Sequence, residues 1–456
     1  MARNMEKIIE KHKAFFQSGK TLDLNFRKES LLKLKSQMAK YYKEIVEAFK
    51  KDFNKCEFDV VTTEIYMVNQ ELNFMLKNLN RLAKPKKVRT GILNFKSSGY
   101  ILKEPYGVTL IVAPWNYPLH LSLLPLVDAI ATGNTIVLKP SKNTPNVSEV
   151  IKKICSCFGE DYVYITYDNE HERDVLFDQR FDFVFYTGSP AVAKNLMERQ
   201  GKFLTPMVLE LGGKSPVIVD EDADIERCAK RVVWGKFLNA GQTCVAPDYM
   251  FVHKNLKEKV INKMVEYVNK FFYKNGNLSE DFPYLVQKRN LEKTDNLLKC
   301  GKIECGGKRT ERLLEPTILS DVKLDSEIMQ NEIFAPILPV VEFEDITQVV
   351  DYVRENEKPL ALYYFGKKNE KKVLDYCSFG GGCVNETIMH LCEERLPFGG
   401  VGNSGVGSYH GAKSFSTFSH EKSVLKKGKL ELNLKYPPYS SKKLNFIKKF
   451  FRIKDR

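Results

Sequence analysis

The sequence predicts an α/β protein with two parallel-sheet domains. Three observations carry that expectation. From Tyr106 onward, short runs rich in β-branched and aromatic residues alternate with helix-length segments, the pattern of βαβ units. A second series of the same kind starts near Lys214. Several runs end in Gly or Pro, where a strand hands over to a loop. A chain of 456 residues has room for two or three domains with full cores.

The first 80 or so residues are helical in texture. Leu31, Leu32, Leu34 and Met38 recur at near-helical spacing, as do Ile45, Phe49 and Phe53, with lysines between them. A Pro/Lys-rich break follows at Lys84–Lys87. Strands are then predicted at Tyr106–Pro114, Gly133–Ser141, Asp161–Tyr167 and Phe181–Ser189. In the second series they are predicted at Ser215–Asp220, Asp248–Asn255, Ile333–Phe343 and Pro359–Gly366. Helices are expected at Asp224–Lys236 and Leu256–Phe272, and the two domains join near Glu210–Gly213. FGGGC (Phe379–Cys383) and PFGGVGNSGVG (Pro397–Gly407) read as glycine-rich loops.

Composition excludes several classes. Hydrophobic residues make up 43% and charged residues 28%, an ordinary globular mixture. The N-terminus, MARNMEKIIEKHK, lacks the apolar core of a secretory signal. The most apolar region, Val108–Leu138, is broken by prolines, His120 and Asp128, so buried strands and a core helix are expected there rather than a membrane span. The net charge of +14 is uneven: Glu421–Arg456 holds 12 Lys or Arg against three acids. That is a basic tail, not a nucleic-acid-binding body. None of the ten cysteines forms a CxxC pair, so no metal site is expected, and a reducing, cytoplasmic setting with free thiols is.

Five stretches could carry chemistry, and each has an ordinary structural reading beside the chemical one. FVFYTGSPAVA runs from a strand through Gly188 and Ser189 into a helix, which suits a phosphate. GxGxxG is absent, however, and Ala193 stands where a further glycine is wanted. In LELGGKSP, Glu210 lies between leucines and is either a general base with a raised pKa or a hinge carboxylate. In NAGQTCVAPD, Cys244 has small neighbours and reads equally as a nucleophile or a core thiol. In PWNYP, Asn116 follows a strand and is either an oxyanion donor or a helix cap. In NEIFAP, Glu332 beside Phe334 either holds a ribose hydroxyl or occupies a surface turn.

Taken together and in order, PWNYP, LKPS, YTGS, LELGGKSP, GQTCVAPD, NEIFAP and LPFGGVGNSGVGSYHG resemble the aldehyde dehydrogenases over roughly residues 5 to 440. GSYHGAKSFSTFSH and KYPPYSSKK resemble the class 3 branch, which includes fatty and aromatic aldehyde dehydrogenases. The resemblance implies two Rossmann-like parallel-sheet domains plus a small β oligomerisation arm. The dinucleotide-binding domain would be 1–80 and 104–210, the catalytic domain 211–395, the arm 81–103 and 396–430, and the tail 431–456. It implies Cys244 as the nucleophile, Glu210 as the base, and Asn116 with the Cys244 N–H as oxyanion donors. The implied cofactor is NAD or NADP. Lys139 would contact the adenosine ribose, and Gly188 and Ser189 the pyrophosphate. Glu332 would hold the nicotinamide ribose and Phe334 would lie against the ring. Trp115, Ala193, Leu211 and Gly212 would also lie on the cofactor side. The substrate would be a small-molecule aldehyde, medium- or long-chain aliphatic or aromatic, and the assembly a homodimer.

Two features are particular to this chain. Lys142 stands where many members carry a glutamate that binds the adenosine 2′-hydroxyl; a lysine there would attract a 2′-phosphate and so admit NADP. In the tail, Leu444, Phe446, Ile447, Phe450, Phe451 and Ile453 fall on one half of a helical wheel and Lys442, Asn445, Lys448, Lys449 and Arg452 on the other. Such a helix suits peripheral contact with the inner face of a membrane, or packing on the dimer. The alternatives are a Cys/His hydrolase, a CoA-acylating relative and an inactive scaffold. None of the seven histidines sits in a hydrolase-like motif, CoA-acylating relatives usually lack the glutamate at 210, and intact Cys244, Glu210 and Asn116 speak against a scaffold.

Overall fold

The computed structural model describes residues 2–166, 170–430 and 433–454, which fall into two units. One comprises 1–82 and 105–419, the other 83–104 and 420–456.

In the larger unit the N-terminal helices are Ala2–Gln17, Leu24–Lys40, Tyr42–Phe53 and Tyr66–Ala83. The second starts where the Asp23 carboxylate accepts the Asn25 N–H at 2.9 Å. Leu31, Leu34, Met38, Ile45, Phe49 and Phe53 are buried as their spacing requires. Leu32 is not: Leu31, Leu34 and Met38 already complete the inward stripe, so Leu32 faces solvent. Before Tyr66 the backbone widens into a π-helical turn, Val61–Ile65.

The first sheet has the strand order Gly405–Val406, Met207–Glu210, Phe183–Thr187, Val108–Val112, Thr135–Lys139, Val163–Ile165. All pairings are parallel except the Gly405 strand on Met207–Glu210. The three central strands are buried along their whole length, which is why they read as unbroken apolar runs. The predicted third strand is shorter than expected, and its last residue, Tyr167, lies outside the described residues. The fully buried helix His120–Thr132 links the first two strands, so the Val108–Leu138 region is strand, helix, strand. Among the described residues no helix is long and apolar enough to cross a membrane.

The second sheet follows after Ser215. Its order is Lys302–Cys305, Thr317–Ser320, Ile337–Phe343, Tyr249–His253, Pro216–Val219, Ala361–Phe365, Gly381–Val384. Three of these were not predicted. Lys302–Cys305 and Thr317–Ser320 extend one edge, and Gly381–Val384, read as a glycine loop, pairs in parallel with Ala361–Phe365 on the other. Glycine is a poor strand former; here the neighbouring strand supplies the hydrogen bonds that override local preference. The ribbon Tyr273–Lys274 with Asn277–Leu278 stands apart.

The smaller unit contains a three-stranded sheet, Lys86–Val88, Ser97–Pro105 and Ser419–Lys427, with Ser97–Pro105 in the middle. Its tail helix is Ser441–Phe450, N-capped by Ser440, which accepts from the Lys443 N–H. The expected arm boundary is corrected at one place. Residues 396–419 belong to the larger unit, because the Gly405 strand extends the first sheet and Phe398, Tyr409 and Phe415 are buried there. The tail residues 433–454 group with the arm rather than standing alone; 431, 432, 455 and 456 lie outside the described residues.

Candidate active site

In the first sheet the chain order of strands reverses between Val108–Val112 and Phe183–Thr187. Ligands of open parallel sheets bind at the carboxyl ends of strands at such a point. The strand ends there supply the predicted residues: Trp115 follows Val112, Lys139 ends its strand, Gly188 and Ser189 follow Thr187, and Glu210 ends its own. The helix Pro190–Gly201 opens with Ser189 as its N-cap, whose side chain makes no capping bond, so its first-turn N–H groups face the strand ends. A cavity of about 710 Å³ lies here, walled by Trp115, Lys139, Lys142, Gly188, Ser189 and Gln287–Arg289. Its walls also include Arg173, and among their described residues there is no carboxylate.

A second cavity, about 650 Å³, is walled mostly by apolar side chains, among them Phe58, Met67, Leu121, Trp234, Leu238 and Tyr409. Cys244 and Glu210 are in its wall. Thr187 is in the walls of both cavities, and its buried Oγ1 has no hydrogen-bond partner. The two spaces therefore share a wall at Thr187.

The Cys244 loop has an unusual backbone. The helix Ile225–Phe237 ends, and Asn239, Ala240 and Gly241 follow with φ of 52°, 52° and 73°. Consecutive left-handed residues persist only when neighbours over-determine them. Gln242, fully buried, supplies this: its Nε2 donates to Asn239 O and Tyr284 O, both at 3.0 Å, and its Oε1 accepts the Val286 N–H at 2.9 Å. A Cβ on Gly241 would overlap the Ala335 carbonyl, so the GQTC glycine is demanded by space as well as by φ. Asn239 Nδ2 donates to Asn116 O at 3.0 Å, and Asn116 Nδ2 donates to Gln242 O at 3.1 Å. The Tyr117 and Thr243 hydroxyls are 2.6 Å apart.

Electrostatics set the resting state. Burial pushes the Cys244 thiol up to about 12, with the Glu332 and Glu210 carboxylates adding to it; the Cys244 and Val245 N–H groups pull the other way. Glu210 is held well above the usual carboxylate range by burial, and neither of its oxygens has a hydrogen-bond partner. Burial, with Asp248 nearby, raises Glu332 to about 8 against the Gly213 N–H, Lys214 and Lys236. Lys214 is fixed on Asp248 at 2.5 Å. Both shifts favour the proton-bearing forms of Cys244 and Glu210, so a step that ionises either must place its proton on a neighbour or in solvent.

The predicted residues separate into groups. Cys244 and Glu210 share the apolar cavity; Asn116 lies behind its wall, joined to the cysteine loop. Trp115, Lys139, Lys142, Gly188 and Ser189 share the polar one. Glu332 sits against Gly212, and Phe334 packs edge-on to Trp115 at 5.5 Å. Ala193 and Leu211 lie instead in the core between helix and sheet, with Val184, Leu196 and Leu209. The extra glycine is missing where a buried methyl packs.

Sequence reasoning missed Lys236, Tyr117, His120, Lys55 and Glu64. Lys236 is fully buried beside Asp248 and Glu332, its Nζ has no hydrogen-bond partner, and burial lowers it to about 8. Its signal was legible: Ala229, Val232, Val233 and Lys236 form one i, i+3, i+4, i+7 face, so the lysine had to point inward. Lys55 carried no such mark among its many lysine neighbours.

The model of the aldehyde dehydrogenase family matches residues 1–424. A Staphylococcus aureus protein, 4,4′-diaponeurosporen-aldehyde dehydrogenase, is 42% identical over 448 residues, covering 96% of this chain and 97% of its own. The mouse aldehyde dehydrogenase family 3 member A2 is 40% identical, covering 99% and 94%. A solved structure of Staphylococcus aureus AldH in a substrate-bound state superposes with a TM-score of 0.94 at 41% identity, covering 98% and 99%.

Proposed function

The chain belongs to the aldehyde dehydrogenase family and is an oxidoreductase acting on aldehydes; from that premise we propose that it oxidises a long, apolar aldehyde to its carboxylic acid, with Cys244 as nucleophile and NADP or NAD as hydride acceptor. The observation that carries the substrate class is the apolar cavity with Cys244 and Glu210 in its wall. A small, hydrated aldehyde gains little from such walls; an alkyl or polyene chain gains about 0.8 kcal/mol for each buried CH₂. The Staphylococcus relative is named for a diaponeurosporen aldehyde, which agrees with this.

The residue roles are those the family resemblance implies, and the geometry supports them. The Cys244 sulfur adds to the aldehyde carbon, and its thiol proton leaves to a neighbouring base or solvent. Asn116 spends one amide N–H on Gln242 O, leaving the other for the developing oxyanion together with the Cys244 N–H. A bound nicotinamide would supply the hydride acceptor, and loss of hydride from that carbon would leave a thioester on Cys244. Glu210, buried without a hydrogen-bond partner, removes a proton from water, and the hydroxide displaces the sulfur to release the acid. Glu210 favours water over CoA as the resolving nucleophile.

The donor set fits a dinucleotide. The helix start at Ser189 and Lys139 suit the phosphates and ribose, and the partnerless Glu332 Oε1 offers an acceptor to a second ribose. Lys142 and Arg173, in walls without a described carboxylate, support acceptance of the 2′-phosphate. We further read the chain as a homodimer joined through the small sheet, whose edge strand Ser419–Lys427 exposes Val424 and Leu425. We read it as a cytoplasmic enzyme whose tail helix, with Leu444, Phe446 and Phe450 exposed, contacts the inner membrane face.

The test follows absorbance at 340 nm with saturated aldehydes of increasing chain length, each with NAD and NADP, using Cys244→Ser as control. The expected result is kcat/KM that rises with chain length and vanishes in the serine variant. Activity confined to short, polar aldehydes would overturn the substrate reading.

A further inference from the structure

The turn that carries Asn116 and Tyr117 is held from two sides. Toward the nucleophile, Asn116 bonds Gln242 O and Tyr117 bonds Thr243, the residue before Cys244. From behind stands a buried cation. Lys55 is 1% exposed, and its Nζ lies 3.2 Å from Glu64 Oε1. The same Nζ is 4.5 Å from the Tyr117 ring centroid, 4.8 Å from that of Phe53 and 5.3 Å from that of Phe49. The other Glu64 oxygen accepts the His120 N–H at 2.9 Å, where the buried helix His120–Thr132 begins. The ammonium therefore meets Tyr117 through its ring and His120 through Glu64, and these are the two ends of one four-residue turn. Tyr117 and His120 are also both in the wall of the apolar cavity.

Stability alone does not account for this arrangement. A buried ion pair loses about as much in desolvation as it gains, and well-packed apolar residues often do better. What an apolar pair could not do is pull on a π face. A desolvated ammonium over a ring attracts the electron density of that ring. For Tyr117 this polarises the phenol whose oxygen lies 2.6 Å from the Thr243 hydroxyl. Glu64 belongs to the π-helical turn Val61–Ile65, a widened backbone that recurs at functional sites.

We propose that Lys55 is a positioning residue for the oxidation: through the Tyr117 ring and through Glu64 it fixes the turn that presents Tyr117 to Thr243 and Asn116 to the oxyanion beside Cys244. Lys55 touches no reacting atom. The inference rests on the aldehyde dehydrogenase reading of this site. A shift of about 1 Å in a positioning group is enough to cost up to a hundredfold in rate.

The experiment compares wild type with Lys55→Gln, which keeps a donor to Glu64 but takes the cation off the ring. A second variant, Lys55→Met/Glu64→Gln, removes both charges and leaves no buried ion unpaired. Wild-type turnover of a long-chain aldehyde is measured first; its absence would sink the reading of the site itself. With turnover present, the expected result is a variant that melts within about 4 °C of wild type, binds NADPH by fluorescence titration with unchanged Kd, and loses kcat at least tenfold. A folded variant with kcat within twofold of wild type overturns the proposal and makes Lys55 purely structural. If Lys55→Gln does not fold, the double variant is judged by the same two outcomes. Lys55→Arg, which returns a cation to the rings, should recover part of the lost kcat.

Discussion

The Glu332 carboxylate occupies the space that a side chain on Gly212 would need: a Cβ built there would overlap both of its oxygens. Glycine at 212 is thus a spatial requirement of Glu332, the residue we assign to the nicotinamide ribose. Gly212→Ala should displace that carboxylate. Overpacking of this kind costs about 1–3 kcal/mol, so NADPH binding should weaken at least about fivefold in a fluorescence titration while Cys244 still reacts with a thiol reagent. Unchanged cofactor affinity would remove Glu332 from the ribose.

Activity should rise with pH. The groups that must ionise, the Cys244 thiol and Glu210, are both raised by burial, and Glu332 is raised to about 8. Raised values mean that protonated forms dominate at lower pH, so lowering pH removes the competent thiolate and base together. The expected profile of kcat/KM climbs from pH 6 to pH 9. A flat or falling profile would overturn this reading of the two groups.

Cofactor choice should turn on Lys142. Lys142 and Arg173 are both in the wall of the polar cavity, Arg173 also paired with Asp174 at 3.3 Å. Lys142→Glu should lower kcat/KM with NADP by roughly tenfold or more and leave NAD equal or better, since a carboxylate repels a 2′-phosphate. A wild type that strongly prefers NAD, unchanged in the variant, would count against the assignment.

The tail gives a fourth expectation. Leu444, Phe446 and Phe450 are exposed on the lysine-flanked helix Ser441–Phe450, and Phe451 and Ile453 are exposed just after its end. Full-length protein should float with vesicles containing anionic lipid, less so as salt is raised, and a chain ending at Ser440 should remain in the soluble fraction. Equal soluble fractions for the two chains would end the membrane reading.

Much of the fold was legible because it is written in local patterns. The buried strands Val108–Val112, Thr135–Lys139 and Phe183–Thr187 announce themselves as apolar runs bounded by turns. Gly381–Val384 did not: its two glycines have no pattern, and only the neighbouring strand makes the segment a sheet edge. The cysteine loop was legible as small residues around a thiol. Its three left-handed residues and the Gln242 anchor were not, since they depend on Tyr284 and Val286, more than 40 residues away in sequence.

By itself the sequence determined the α/β class and the two series of parallel strands, and its resemblance to the aldehyde dehydrogenases implied Cys244, Glu210 and Asn116 as a set. Those follow from periodicity and motif order, which survive without coordinates. Only the tertiary structure decided what surrounds them. Lys142 and Arg173 meet at one cavity, Ala193 turns into the core, Lys236 is left with no hydrogen-bond partner beside Glu332, and Lys55 is buried against Tyr117. The reason is physical: burial and through-space charge set the ionisation and orientation of a group, and both depend on residues that are distant along the chain.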